Sequence, residues 1–315
     1  MNKTKAIGIT LSAALAAGAL LWMAISKQSV VQQHRPTVAV STYTLYEAAR
    51  SVAGETLDVW PVIPFGTDAH MFSPDPSQIA KVSQSSLFVY NGAGFETWAH
   101  SLTANLAKGT PVIDMSTKVS LIRENSQSDH DHSEETDMHG GIDPHYWLDI
   151  DNMIRMTRTF ETELCARFPE HEKLYHANAN AYIEQLQHLK TEYAEGLSEC
   201  NNRLLVSNHD AFGYLAHANR LTPISVIGLS SDEQPSAKNI ANIVTLVKEH
   251  GIKTVFFEEF INDNVSQTIA RETGAEAKSL QPLENISQEE FDAHHTYVSI
   301  MRENLVKLRE SMRCR

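Results

Sequence analysis

Between Pro169 and Glu199 the chain runs with a single glycine, Gly196, and no internal proline. Within that run Tyr175, Tyr182, Leu186, Leu189, Tyr193 and Leu197 fall on one stripe at helical spacing. Pro169 suits a first helical turn. At 1.5 Å per residue the run makes a rod of roughly 45 Å, long for a globular helix. The stripe is too short and too loose for sustained heptads, which argues against a coiled coil and for a backbone helix joining two bodies. Whatever lies on either side must therefore build its own sheet.

Both sides have the means. Before the rod, Thr37–Ser41, Leu57–Ile63, Leu87–Tyr90 and Pro111–Met115 read as short strands. Helical stretches at 45–52, 77–83 and 95–107 separate them. After it, strands at 203–207, 223–227, 253–258 and 277–280 alternate with helices at 211–218, 237–250, 264–273 and 288–312. Strands alternating with helices argue for a parallel, crossover-connected sheet. The expectation is an α/β protein of two lobes, each a mostly parallel sheet flanked by helices. The boundaries drawn are 36–168 for the N-terminal lobe, 169–199 for the linking helix and 200–315 for the C-terminal lobe.

Residues 1–27 stand outside this plan. Lys3 and Lys5 precede a mostly apolar run from Ile7 to Ile25, and Lys27 follows it. That is a secretory signal peptide or an uncleaved N-terminal anchor. Without this segment, which holds three lysines and no acid, the rest is more negative still than the −13 of the whole chain. So acidic an exported protein is a poor nucleic-acid binder, because that role rests on basic patches. The acidity suits a cationic ligand. Three cysteines without a CxxC pair do not form a zinc cluster. In an oxidising compartment one disulfide and one free thiol are expected. The rod holds Cys165 and Cys200 apart, which leaves Cys200 with Cys314 as the preferred pair.

The candidate chemistry lies in histidines. His130, His132 and His139 sit among acids in a loop, 126–141, without apolar periodicity, a segment suited to weak binding of soft divalent cations. His70, His145 and His209 differ: each lies in a loop beyond the carboxyl end of a strand, where α/β sheets bind ligands. Two come from the first lobe and one from the second, so a shared site lies between lobes. Three imidazoles make a good zinc set, with a fourth position open to water, a carboxylate or an amide. Asp68, Asp149 and Asp210 are near enough in sequence to accept hydrogen bonds from the rings. The histidines on helices (100, 171, 176, 188, 217, 250, 294 and 295) read as ordinary polar groups.

These residues resemble a known family. Asp68-Ala-His70-Met-Phe-Ser-Pro-Asp-Pro76, Asp143-Pro-His145-Tyr-Trp-Leu-Asp149 and Asn208-His209-Asp-Ala-Phe-Gly-Tyr214 look like three segments of the metal-binding solute-binding proteins of ABC transporters. The third resembles the zinc-type, ZnuA-like members with the TroA-type fold, and Gly228–Ser236 matches as well. The resemblance spans about residues 36 to 312. It implies two α/β lobes around one rigid helix, and His70, His145 and His209 as ligands of one Zn2+. It also implies a monomeric periplasmic carrier, not an enzyme, delivering zinc to a membrane permease with a cytoplasmic ATPase, and a histidine-rich loop that collects zinc. One departure stands out: Leu280-Gln281-Pro282-Leu283 has Gln281 where many members have a ligating aspartate. A neutral amide is a poor ligand for manganese and leans the site towards zinc. Glu258, ending its strand, is the nearest other acid, read first as a structural acceptor. The alternatives are a manganese or iron carrier of the same family, a zinc hydrolase, for which the chain lacks HExxH and G-x-S-x-G, and a surface adhesin.

Overall fold

A computed structural model describes residues 35–106, 109–123, 141–229, 235–258 and 264–315. The N-terminal segment 1–27 and His130, His132 and His139 lie outside them. From Pro36 onward the described residues form one compact unit.

The first sheet comprises β1 (Thr37–Val40), β2 (Asp58–Pro61), β3 (Leu87–Tyr90) and β4 (Val112–Asp114), all parallel, in the order β2-β1-β3-β4. The second comprises β5 (Leu204–Ser207), β6 (Thr222–Ser225), β7 (Thr254–Phe257) and β8 (Glu276–Ser279), in the equivalent order β6-β5-β7-β8, again all parallel. Parallel neighbours need crossovers, and helices supply them. These are α1 (Tyr43–Ala53), α2 (Pro76–Ser83) and α3 (Ala99–Asn105) in the first lobe, and α6 (Gly213–Asn219), α7 (Ala237–Glu249) and α8 (Asn264–Thr273) in the second. Sequence fixes several of their ends. Asp75 caps α2 with a capping box, accepting from Ser77 and Gln78 while Gln78 reaches back, and Pro76 supplies the first turn.

Between the sheets run α4 (Ile150–Arg167) and α5 (Glu172–Gly196). The 25 residues of α5 are the expected rod, about 37 Å long. Pro169 forms a short 3-10 turn ahead of it rather than its first turn. All six residues of the stripe, from Tyr175 to Leu197, are buried. The chain closes with α9 (Gln288–Asp292) and α10 (Tyr297–Met312). The sequence reads 288–312 as one helix, but it breaks at His294, whose φ is +61°. Thr296 then restarts it with a capping box on Ser299. A second difference is α4, which the sequence reading passes over although Ile150, Met153, Met156, Phe160 and Leu164 recur at helical spacing and are buried.

One large apolar core joins α1, α4, α5 and α10 and takes in Val38, Val40 and Leu87 of the first sheet and Leu205 and Phe256 of the second. The second sheet has its own smaller core of Val206, Val226, Ile243, Val247, Val255 and Ile269. Fully buried polar anchors cross the large one. Tyr193 donates to Met301 O at 2.6 Å, and Tyr297 donates to Trp147 O at 2.7 Å. The expected disulfide is present between Cys200 and Cys314, and Cys165 is free.

Candidate metal centre

All parallel strands of a sheet end on the same side, and in this fold the loops beyond those ends meet. His70 lies in the loop after β2, and His145 lies beyond β4, immediately ahead of a 3-10 turn at Tyr146–Leu148. His209 stands two residues beyond β5, Glu258 next to β7, and Glu284 in the segment after β8. His70, His145, His209 and Glu284 each offer one ligand atom within 4.8 Å of the others. Oε1 of Glu284 is 3.1 Å from Nε2 of His145, 3.2 Å from Nε2 of His70 and 3.7 Å from Nε2 of His209. A tetrahedral zinc with bonds near 2.0–2.1 Å separates its ligands by about 3.3–3.4 Å. His145 and His209 are wholly buried, and the other two nearly so.

The fourth member of this cluster is Glu284, which the sequence reading missed. The Gln281 side chain turns back on its own loop, its carbonyl oxygen accepting weakly from the Leu283 N–H at 3.4 Å. Its main chain is pinned in both directions to Asn304. Leu283 then takes a left-handed φ of +60°, and the reversal brings residue 284 to the histidines. The segment is fastened there by Asn285, whose amide donates to Pro64 O and Thr67 O at 2.7 and 2.8 Å, and by Gly66 N–H donating to Ile286 O. The cluster thus offers three ring nitrogens and one carboxylate oxygen.

Behind these four groups, the acid that faces the His145 ring differs from expectation. Asp143, not Asp149, faces Nδ1 of His145 at 2.8 Å and accepts its backbone N–H as well. Asp149 caps α4 by accepting from Asp151 N–H. Asp68 accepts the backbone N–H of His70 at 2.9 Å. Glu258 lies against Nδ1 of His209. The motifs of the two lobes brace each other. A Cβ on Gly213 would fall 2.5 Å from Oδ2 of Asp143, so only glycine lets α6 come this near. Tyr214 then donates to Asp143 O at 3.0 Å.

Burial alone would strip protons from all three rings, and it drives His209 down to about 3, keeping that ring neutral. At His145 burial is overcome by Asp143 and Glu284, and its value rises to about 10. His70 is raised too, Glu284 outweighing burial. Burial opposes the charge of Glu284, yet His70 and His145 hold it well below the carboxylate range, whereas burial pushes Glu258 well up. Glu284 therefore faces a His145 ring that favours its proton and a His209 ring that stays neutral.

Residues 38–311 match the family described as "Zinc-uptake complex component A periplasmic", ZnuA. The chain belongs to this family. Among ZnuA relatives, the "High-affinity zinc uptake system protein ZnuA" of Bacillus subtilis is 32% identical over 277 residues, covering 87% of each chain. The "Zinc-binding lipoprotein AdcA" of Streptococcus pneumoniae is 34% identical over 277 residues, 87% of this chain and 55% of AdcA. The chain thus spans little more than half the length of the AdcA relatives it matches. The crystal structure of the Zn(II)-bound ZnuA-like domain of the same AdcA superimposes with a TM-score of 0.74 at 32% identity, covering 88% of this chain and 99% of that one.

Proposed function

We propose that this protein captures Zn2+ in the periplasm and delivers it to the membrane permease of an ABC-type transporter, whose cytoplasmic ATPase drives uptake. The carrying observation is the buried cluster of three imidazoles and one carboxylate. His70, His145 and His209 would each give Nε2 to the cargo ion, and Glu284 an oxygen. Three nitrogens favour zinc over manganese, which prefers oxygen. A carboxylate in the fourth position makes a closed site, whereas a hydrolytic zinc needs that position for water. The disulfide suits an oxidising compartment, and a signal or anchor at residues 1–27 would take the chain there. Among the described residues no helix is long and apolar enough to cross a membrane. The test is metal content with zinc and manganese in competition. One zinc per chain that manganese does not displace supports the reading, and preferential manganese retention refutes it.

Affinity should rise with pH. A protonated imidazole cannot bind metal, and His145 keeps its proton in the metal-free state up to about pH 10. Each proton displaced makes apparent affinity climb about tenfold per pH unit. Chelator competition at pH 6, 7 and 8 should give a rise of at least tenfold per step, and a flat profile would refute the protonated ground state. The loop at 126–141 is read as a weaker collecting site through His130, His132 and His139. Deleting 128–139 should leave one tightly bound zinc and abolish additional weak binding in a calorimetric titration. Loss of the tight site would contradict this.

A further inference from the structure

The His70 and His145 rings rest on an aromatic wall that the proposed coordination does not use. The Phe95 ring lies edge-on to His70 at 4.7 Å, to His145 at 6.1 Å and to Trp147 at 5.3 Å. Trp147 packs on His145 at 5.5 Å and donates to Pro282 O at 2.7 Å, which reaches the Glu284 segment. Phe95 itself is buried at the end of an improbable piece of backbone. Gly92, Ala93 and Gly94 all have left-handed φ, of 75°, 52° and 81°. A Cβ at Gly92 would collide with the Asp114 carboxylate, at 1.9 Å from Oδ1. Such a loop persists only when its surroundings over-determine it.

What determines it is Glu96. Its carboxylate accepts from Asn91 N–H at 2.8 Å and Gly92 N–H at 3.0 Å, and from the Ser41 hydroxyl at the end of β1. Glu96 is buried, and among the described residues no cation lies within ion-pair reach of it. Burial lifts its value to about 7 even against these donors. A buried, cation-free carboxylate is costly. The observable return is the fixed position of Phe95.

We propose that Glu96 is a positioning residue for the metal centre, acting through Phe95, which it clamps against His70 and His145. The proposal rests on the zinc-capture reading above. Glu96→Gln keeps the shape but sets an NH2 against backbone N–H donors, and Phe95→Leu removes the wall with the clamp intact. Partners behind metal ligands are commonly worth ten- to a hundredfold in affinity. Each variant should therefore bind zinc about tenfold more weakly and shift the visible absorption of the cobalt-loaded protein. Because both act along one path, the double variant should be no more than about twofold weaker than the poorer single one. Ser41→Ala, which removes one donor to the carboxylate, should give a smaller loss that also vanishes in the Phe95→Leu background. It carries the test if Glu96→Gln does not fold, as judged by circular dichroism. Unchanged zinc affinity and cobalt spectrum in a folded Glu96→Gln chain would overturn the proposal, as would additive losses. If the unaltered protein itself binds no zinc, it is the capture reading that fails.

Discussion

His145→Ala should bind zinc on the order of a hundred- to a thousandfold more weakly than the native chain, with Glu284→Ala close behind and Gln281→Ala unchanged. Zinc held by four protein groups is worth about 10–16 kcal/mol, so an average ligand carries about 3 kcal/mol, or roughly two decades of affinity. His145 should exceed the average. It is the most enclosed of the histidines that contact Glu284 at hydrogen-bond distance, and its ring is fixed from behind by Asp143. Competition with a chromophoric chelator reads all three variants on one scale. The discriminating result is the comparison of 281 with 284. Retained affinity in Glu284→Ala with loss in Gln281→Ala would make the amide the fourth ligand and overturn the proposed role of Glu284.

The three histidines were legible in the sequence because each sits in a short, distinctive motif within a connection that follows a strand. Glu284 was not, although an acid three residues beyond Gln281 was in plain view. Its approach depends on Leu283 adopting φ +60°, a conformation that leucine gives no sign of preferring. The role of Asp143 was likewise undecidable from spacing. Asp149 is as near to His145 as many ring partners are, but a helix begins one residue later and its first turn claims that carboxylate. The division into two sheets around α5 was readable because the alternation of strand and helix is a local pattern. The continuity of the core across both sheets was not, since it depends on where Tyr193 and Tyr297 find acceptors. Glu96 belongs with the unreadable group: nothing in Asn91-Gly-Ala-Gly-Phe-Glu96 says that the acid turns inward.

Cys314→Ser should cost the protein about 4–5 kcal/mol of stability and leave zinc affinity as it is. Cys200 and Cys314 are 114 residues apart, and opening a closed loop of that size returns this much entropy to the unfolded chain. In a chain this long the loss appears as a fall in Tm of roughly 10 °C. The bridge does not hold the junction alone. Asn201 N–H and Asn202 N–H donate to Met312 O, and Arg315 N–H donates to Glu199 O, so α5 and α10 remain tied in the folded state. Placement keeps the effect away from the metal. Cys200 precedes β5 and His209 follows it, with a four-residue strand of about 13 Å between. Stability and affinity should therefore separate: a thermal melt that moves, beside a chelator titration that does not. If zinc affinity fell with the disulfide, the centre would depend on how α5 and α10 are joined. Reduction of the bridge would then be a route to metal release.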